Sequence, residues 1–312
     1  METFYHAVGR FIHDLTSLGW TALGLAIAFH LARLAVRCPA WRNIIRASYP
    51  DRRVPLRSVS GAYLAGVGVN SIIPARSGDA LKLFLVKHRV EGTTYPTLGA
   101  TLLPETLFDS LVALVIVSWA LASGALPGLG VLPHLPTVDW SWPYRHQYVT
   151  ALVLAGLIVG ASLALLLGRS RLESFWSRFR RGFAVLGDPP RYLLGVASWQ
   201  AASWVFRFAS AYWFLKAFHM PASYHNALVV LSAQSIATLL PITPGGVGTI
   251  QGLLVYAFKG KVAASVALGF SVGMHVTTVA ANLVVGFASI FLMLRTFRWR
   301  RVVRPEQRLA EQ

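Results

Sequence analysis

The chain has 312 residues, of which 55% are hydrophobic and 13% are charged, whereas about 25% of the residues of an ordinary soluble domain are charged. This composition, laid out in long apolar runs, excludes a water-soluble globule and indicates a membrane protein. The net charge of +17 would suggest a nucleic-acid partner in a soluble protein. Here the basic residues lie between the apolar runs, so membrane topology explains them and no nucleic-acid partner is expected.

Five apolar segments are long enough to cross a membrane, since a helix needs about 20 apolar residues to span about 30 Å of hydrocarbon. They cover residues 15–36, 97–122, 147–168, 193–215 and 263–294. Two further apolar segments, 56–90 and 222–260, are interrupted by proline and glycine. Because each of these must enter the membrane and return to the same side, both are predicted to be re-entrant, broken helical hairpins.

The arginines indicate the orientation, because basic residues in short loops remain in the cytoplasm. Two clusters occupy 169–191 and the tail 295–312, and the 123–147 stretch carries only Arg145. The third cluster is predicted to fill the first loop: Arg33, Arg37, Arg42, Arg46, Arg52, Arg53 and Arg57. We expect a multi-pass protein of the bacterial cytoplasmic (inner) membrane with a basic, cytoplasmic C-terminal tail.

The two hairpins are predicted to form an inverted repeat. Pro74 precedes Gly78 by four residues, and Pro244 precedes Gly248 by four. A long helix follows each hairpin, so one half comprises 56–90 and 97–122 and the other 222–260 and 263–294. Such repeats in transporters enclose a substrate site near the middle of the membrane.

The turn of the first hairpin combines polar and charged residues with helix-breaking ones: Asn70, Arg76, Gly78, Asp79 and Lys82. Ionisable groups at membrane depth are costly and are candidates for function. A helix that begins near Gly78 could receive a phosphate beside Arg76 and Lys82. The alternative is that Asp79 only caps the helix while Lys82 extends to the cytoplasmic surface.

Glu105 and Asp109 are four residues apart and share one face of the following span. They could pair with Arg76 or Lys82, contact a cation or relay protons. The alternative is a structural ion pair. Arg207, in the middle of its span, could pair with these acids or contact a lipid phosphate.

The second hairpin turns without any charged residue, at Pro244, Gly245, Gly246, Gly248 and Gln251. Its glycines allow close approach of the backbone, so main-chain groups are predicted to line a site. A tight turn with no further role is the alternative.

Several motifs of catalysis are absent from the sequence. There is no phosphate-binding G-x-x-x-x-G-K-[ST] loop, no H-E-x-x-H motif and no Asp-x-Asp pair. The segments between apolar runs are too short for a soluble catalytic domain. We therefore expect no enzymatic activity, no cofactor and no metal.

Three ordered motifs resemble the lysylphosphatidylglycerol synthase transmembrane-region family, also described as flippase-like. They are the block from Asn70 to Lys82, the Glu105-x-x-x-Asp109 pair, and the Pro-x-x-Pro-Gly-Gly-x-Gly run that ends before Gln251. The resemblance implies a role in moving lipids or lipid-linked headgroups between leaflets. Full-length synthases add a soluble aminoacyl-transfer domain that this chain lacks, so the resemblance does not imply lipid aminoacylation.

The chain departs from the family pattern at Lys82, where arginine is common, at Thr106, where a basic residue is usual, and at Gln251, where glutamate is frequent. Phosphate binding by Arg76 and Lys82 stays plausible, whereas proton coupling through the second hairpin loses support.

The sequence therefore predicts one all-α integral membrane domain with a flippase-like function and membrane lipids, chiefly anionic ones, as partners. A homo-oligomer or envelope-biosynthesis enzymes are the protein partners considered. The alternative function is an accessory protein or enzyme of polyprenyl-linked glycosylation or envelope lipid synthesis, and a third is a scaffold without transport.

Overall fold

The computed structural model describes residues 19–73, 76–125, 173–239 and 248–295, and the regular structure in these ranges is helical. The main helices are α1 (Trp20–Ser48), α2 (Leu56–Asn70), α3 (Ser77–Arg89), α4 (Tyr95–Ala100), α5 (Leu102–Ala122), α6 (Ser198–Ala217), α7 (Tyr224–Leu239), α8 (Thr249–Ala257) and α9 (Ala264–Arg295). Shorter helical pieces between 173 and 197 precede α6, and the last of them is a π turn, Leu193–Ala197.

Three helical stretches within the described ranges are long and apolar enough to cross a membrane: Trp20–Ser48, Tyr95–Ala122 and Ala264–Met293. The predicted span 193–215 coincides largely with α6, which does not meet this standard. The predicted span 147–168 lies outside the described residues. In the described ranges the regular structure of this membrane protein is thus all helical, while the count of five spans stays a prediction.

Helix α1 is longer than the sequence predicted. The apolar run ends near residue 36, but the helix continues to Ser48 with Pro39 inside it. The predicted place of five arginines in the first loop is therefore wrong, because Arg33, Arg37, Arg42 and Arg46 lie within α1 and Arg57 lies within α2. The reason is tertiary, because Arg37 pairs with acids of another helix rather than remaining in water.

Two pairs of helices pack closely where the sequence predicts hairpins. Helix α2 packs on α3, and Gly78 lies so close to the Gly66 carbonyl that a Cβ atom there would collide with it. Helices α7 and α8 also contact each other, with residues 240–247 between them outside the described ranges. Whether the pairs are related as an inverted repeat stays a prediction.

Two hydrophobic cores meet along α1. Its first half contributes Leu23 and Ala26 to a core shared with α6, α7, α8 and α9. Its second half contributes residues such as Trp41 to a core shared with α2, α3 and α4. His30, Arg33 and Arg37 lie on α1 between these contributions, so polar groups occupy the junction of the two cores.

Helix α5 separates a lipid-facing side from an interior side. Leu103, Leu107, Leu111 and Leu114 recur at helical spacing and are all exposed on the protein surface. Glu105 is buried on the opposite side. Apolar side chains outside and a carboxyl inside are the arrangement that a hydrocarbon surrounding favours.

Close packing of α2 on α9 requires glycine at Gly68. A Cβ atom added there would lie 2.7 Å from the Cα of Gly286. We expect Gly68→Ala to lower the free energy of unfolding by about 1 to 3 kcal/mol, because the backbones must move apart. The control is Gly24→Ala, whose added Cβ meets nothing within 4 Å.

Thermal unfolding followed with a thiol-reactive dye measures this effect, because the single cysteine, Cys38, is buried. Equal melting temperatures for the two alanine variants would mean that the helices do not need this close contact.

Candidate functional site

A partly buried ion cluster joins three helices. Arg37 of α1 donates from Nη2 to Oδ2 of Asp109 at 2.6 Å, and its Nε lies 3.5 Å from Oε1 of Glu105, both on α5. Trp204 of α6 donates its indole N–H to Oδ1 of Asp109 at 3.0 Å. Glu105 is only 5% exposed. The spacing of four residues on α5 places both acids within reach of one arginine.

The acids do not pair with Arg76 or Lys82, as one sequence interpretation held. They pair with Arg37, so the alternative of a structural ion pair describes the observed geometry. Breaking such a pair on one side leaves an uncompensated charge in a low-dielectric interior, so the cluster fixes α1 against α5.

The polar residues of the first hairpin form a second, self-contained cluster. Lys82 Nζ lies 2.9 Å from Oδ1 of Asp79 and 4.5 Å from the centre of the Tyr63 ring. Asn70 donates to the same Asp79 oxygen at 3.2 Å and accepts the backbone N–H of Gly78 at 2.7 Å. The backbone N–H of Gly78, which the sequence predicts as part of a phosphate site, is therefore already hydrogen-bonded to the side chain of Asn70.

Lys82 is 8% exposed, so the alternative that it extends to the surface is wrong. Arg76 does not join it. This residue is exposed in the turn before α3, with a left-handed backbone φ of 55°. A non-glycine residue in that conformation is uncommon. Arg76 and Lys82 thus have different surroundings, one open and one already paired.

A small cavity lies beside the ion cluster, between α1, α6, α7 and α9. Its volume is about 50 Å³, and a cavity holds a water molecule from about 10 to 15 Å³ upward. The lining residues are His30, Arg33, Arg207, Ser210, Ala211, Phe214, Gln234, Met274 and Thr278. Two arginines and a histidine therefore line one small cavity.

The cavity residues have few charged neighbours. Arg207 donates to Oε1 of Gln234 at 3.1 Å, and its guanidinium lies 4.6 Å from the centre of the Trp204 ring. It does not pair with Glu105 or Asp109, which was one sequence interpretation. His30 Nε2 lies 2.8 Å from Oδ1 of Asn282 on α9.

The second hairpin is described only in part. Gly248 has a φ of 90°, and its N–H donates to Oε1 of Gln251 at 2.6 Å at the start of α8. Gln251 therefore satisfies an otherwise free backbone group of its own helix. Pro244, Gly245 and Gly246 lie outside the described residues, so a site lined by their backbone stays a prediction.

Sequence reasoning missed four residues of this region: His30, Arg33, Arg37 and Gln234. The signal for three of them was present, because positions 30, 33 and 37 fall on one face of a helix if that helix continues past residue 36. The prediction that Arg33 and Arg37 lie in a loop hides this shared helical face.

A model of the lysylphosphatidylglycerol synthase TM region matches residues 4–286. The chain belongs to this family. Membership of the lysylphosphatidylglycerol synthase TM-region family confirms the resemblance seen in the sequence and identifies a membrane domain.

One relative of this family member is a UPF0104 membrane protein of Methanocaldococcus jannaschii. The two are 25% identical over 195 residues, which is 62% of this chain and 80% of the relative. No solved structure matches the chain.

The ion cluster predicts a clear difference between neighbouring arginines. We expect Arg37→Gln to lower the free energy of unfolding by about 3 to 5 kcal/mol, because Glu105 and Asp109 lose their cation. Arg33→Gln, one turn away, should not lower it, because no carboxylate of the described residues lies within ion-pair distance of Arg33.

Thermal unfolding of both variants checks this, and a triple variant that also carries Glu105→Gln and Asp109→Asn should recover part of the loss. A similar melting temperature for Arg37→Gln and the wild type would show that water already compensates the cluster.

Proposed function

We propose that this protein binds the headgroup of an anionic membrane lipid inside its helical bundle and moves it between leaflets. The observation that carries the proposal is the charged interior at the junction of α1, α5 and α6, where Arg37, Glu105, Asp109 and the cavity adjoin. Ionisable groups within membrane-spanning helices face the interior of a bundle and mark the paths of polar substrates.

The depth of these groups supports the proposal. At 1.5 Å per residue, Arg33 and Arg37 lie about 20 to 25 Å along α1 from its first described residue. Because α1 is itself a candidate span, a headgroup that reaches the cavity has left the membrane surface. Apolar side chains such as Leu107 and Leu111 face outward on α5, so acyl chains could stay in lipid while the headgroup is inside.

The balance of buried charge favours an anionic headgroup over a zwitterionic one. Among the described interior residues, the acids are Asp79, Glu105 and Asp109. Each has a cation beside it, namely Lys82 or Arg37. Arg33 and Arg207 are additional cations, so the interior carries an excess of positive charge.

In the topology that we propose, the chain has five spans and two inverted hairpin halves in the bacterial cytoplasmic membrane. The tail 295–312 lies in the cytoplasm. Rocking of the halves would expose the interior alternately to each leaflet. Since the sequence has no nucleotide-binding loop, a lipid gradient or the membrane potential would drive net transport. Arg76, exposed at the first hairpin turn, would meet the headgroup before it enters.

Leaflet exchange in proteoliposomes tests the proposal. Purified wild type should exchange a fluorescent phosphatidylglycerol faster than the zwitterionic phosphatidylcholine analogue, and both faster than protein-free liposomes. Asp109→Asn should slow the anionic exchange by about tenfold, which corresponds to about 1.4 kcal/mol in the barrier. Arg53→Gln, an exposed arginine in the loop after α1, serves as the matched control and should exchange lipid like the wild type.

Absence of exchange by folded, reconstituted wild type would contradict the proposal and favour an accessory or enzymatic role in polyprenyl-linked glycosylation. Equal exchange rates for the wild type and Asp109→Asn would show that the ion cluster takes no part in lipid transport.

A further inference from the structure

We infer that the cavity between α1, α6, α7 and α9 is a binding site for a single phosphate group of a lipid, held by Arg33 and Arg207. This inference rests on the proposed function and names the chemistry that it requires. It also moves the phosphate site away from Arg76 and Lys82, where the sequence placed it.

The acidic side chains of the interior all have partners other than Arg33 and Arg207. Asp109 already accepts from Arg37 at one oxygen and from Trp204 at the other. Glu105 faces Arg37, and Asp79 faces Lys82. No carboxylate of the described residues lies within ion-pair distance of either cavity arginine.

The two cavity arginines have hydrogen-bond donors that lack partners. The Nε atoms of both Arg33 and Arg207 are buried and have no hydrogen-bond partner among the described residues. Arg207 uses Nη2 for Gln234, and no hydrogen bond joins Arg33 to the described part of the chain. A buried charged donor without a partner is costly, so an anion that pairs with both would remove that cost.

Guanidinium groups bind phosphate oxygens through two parallel N–H bonds, and phosphate accepts several such donors at once. The cavity is small, about 50 Å³, which suits a compact group rather than a sugar. Gln234 and His30 add polar groups to the same wall.

None of the lining residues is acidic, so an ammonium group would meet Arg33 and Arg207 without a counter-charge. Beside Ser210 and Thr278, the residues Ala211, Phe214 and Met274 line part of the cavity and offer an apolar surface to the carbon atoms that follow the phosphate. This surface favours a lipid phosphate over free phosphate.

Ligand-induced stabilisation measures the binding without any transport. Full-length protein in a neutral detergent is titrated with lysophosphatidic acid, and unfolding is followed by dye labelling of the buried Cys38. We expect the melting temperature to rise by about 5 to 10 °C at a hundredfold excess over the Kd. Lysophosphatidylcholine of the same chain length should give a much smaller shift.

Two variants test the assigned residues. Arg33→Gln and Arg207→Gln should each lose most of the shift while melting at or above the wild-type temperature without ligand, because each removes an uncompensated charge. Arg207→Lys should retain part of the shift. Arg53→Gln, exposed and remote from the cavity, should keep all of it.

An undiminished shift in both glutamine variants would overturn the site. So would equal shifts with the two lysolipids, since the cavity would then not exclude the cationic headgroup of lysophosphatidylcholine. Inorganic phosphate that reproduces the full shift would overturn the assignment to a lipid. Binding that depends on both arginines, in a protein that exchanges no lipid, would uphold the site and contradict the proposed transport instead.

Discussion

The arrangement of this bundle depends on one constraint, that a charge within hydrocarbon must have a partner. Arg37 satisfies it for two acids at once, and Trp204 supplies a further hydrogen bond to Asp109. These contacts fix α1, α5 and α6 together at the level where the two hydrophobic cores meet. The apolar residues on either side could pack in many ways, whereas the ion cluster has few alternatives, so it sets the register of the three helices.

The same cluster determines what remains for a ligand. Glu105 and Asp109 both pair with Arg37, and no acid of the described residues lies within ion-pair distance of Arg33 or Arg207, although both arginines belong to the same interior. A site for an anion thus follows from an unequal division of charge rather than from a dedicated motif. The division also gives Arg37 and Arg33 opposite roles in spite of their closeness, since one stabilises the fold and the other bears a cost in the absence of ligand.

Much of the fold could be predicted from the sequence, because helical runs and hairpin turns depend on local composition. Apolar runs and residue spacing predict the membrane character, the pair of helices Leu56–Asn70 and Ser77–Arg89, and the shared face of Glu105 and Asp109 on α5. Pair assignments could not be predicted. The end of an apolar run predicts the end of a helix, but α1 continues past residue 36, and Arg37 gains its partners from a distant segment. Lys82 likewise pairs within its own helix with Asp79, three residues away. The sequence alone does not distinguish this local partner of Lys82 from the more distant acids Glu105 and Asp109.

A polar connection links the cavity to the first hairpin. Asn282 of α9 contacts His30 through its carbonyl oxygen and donates its amide to Ser71, directly after α2, at 3.1 Å. One turn from Asn282 along α9, Gly286 meets Gly68 of α2 at close range. Displacement of α2 along α9 would therefore strain the bond to Ser71 and shift the residue that holds His30 at the cavity wall. The segment after α2 that leads to Arg76 and the cavity that contains Arg33 and Arg207 are in this way mechanically joined, as the proposed alternating exposure of a single site would require.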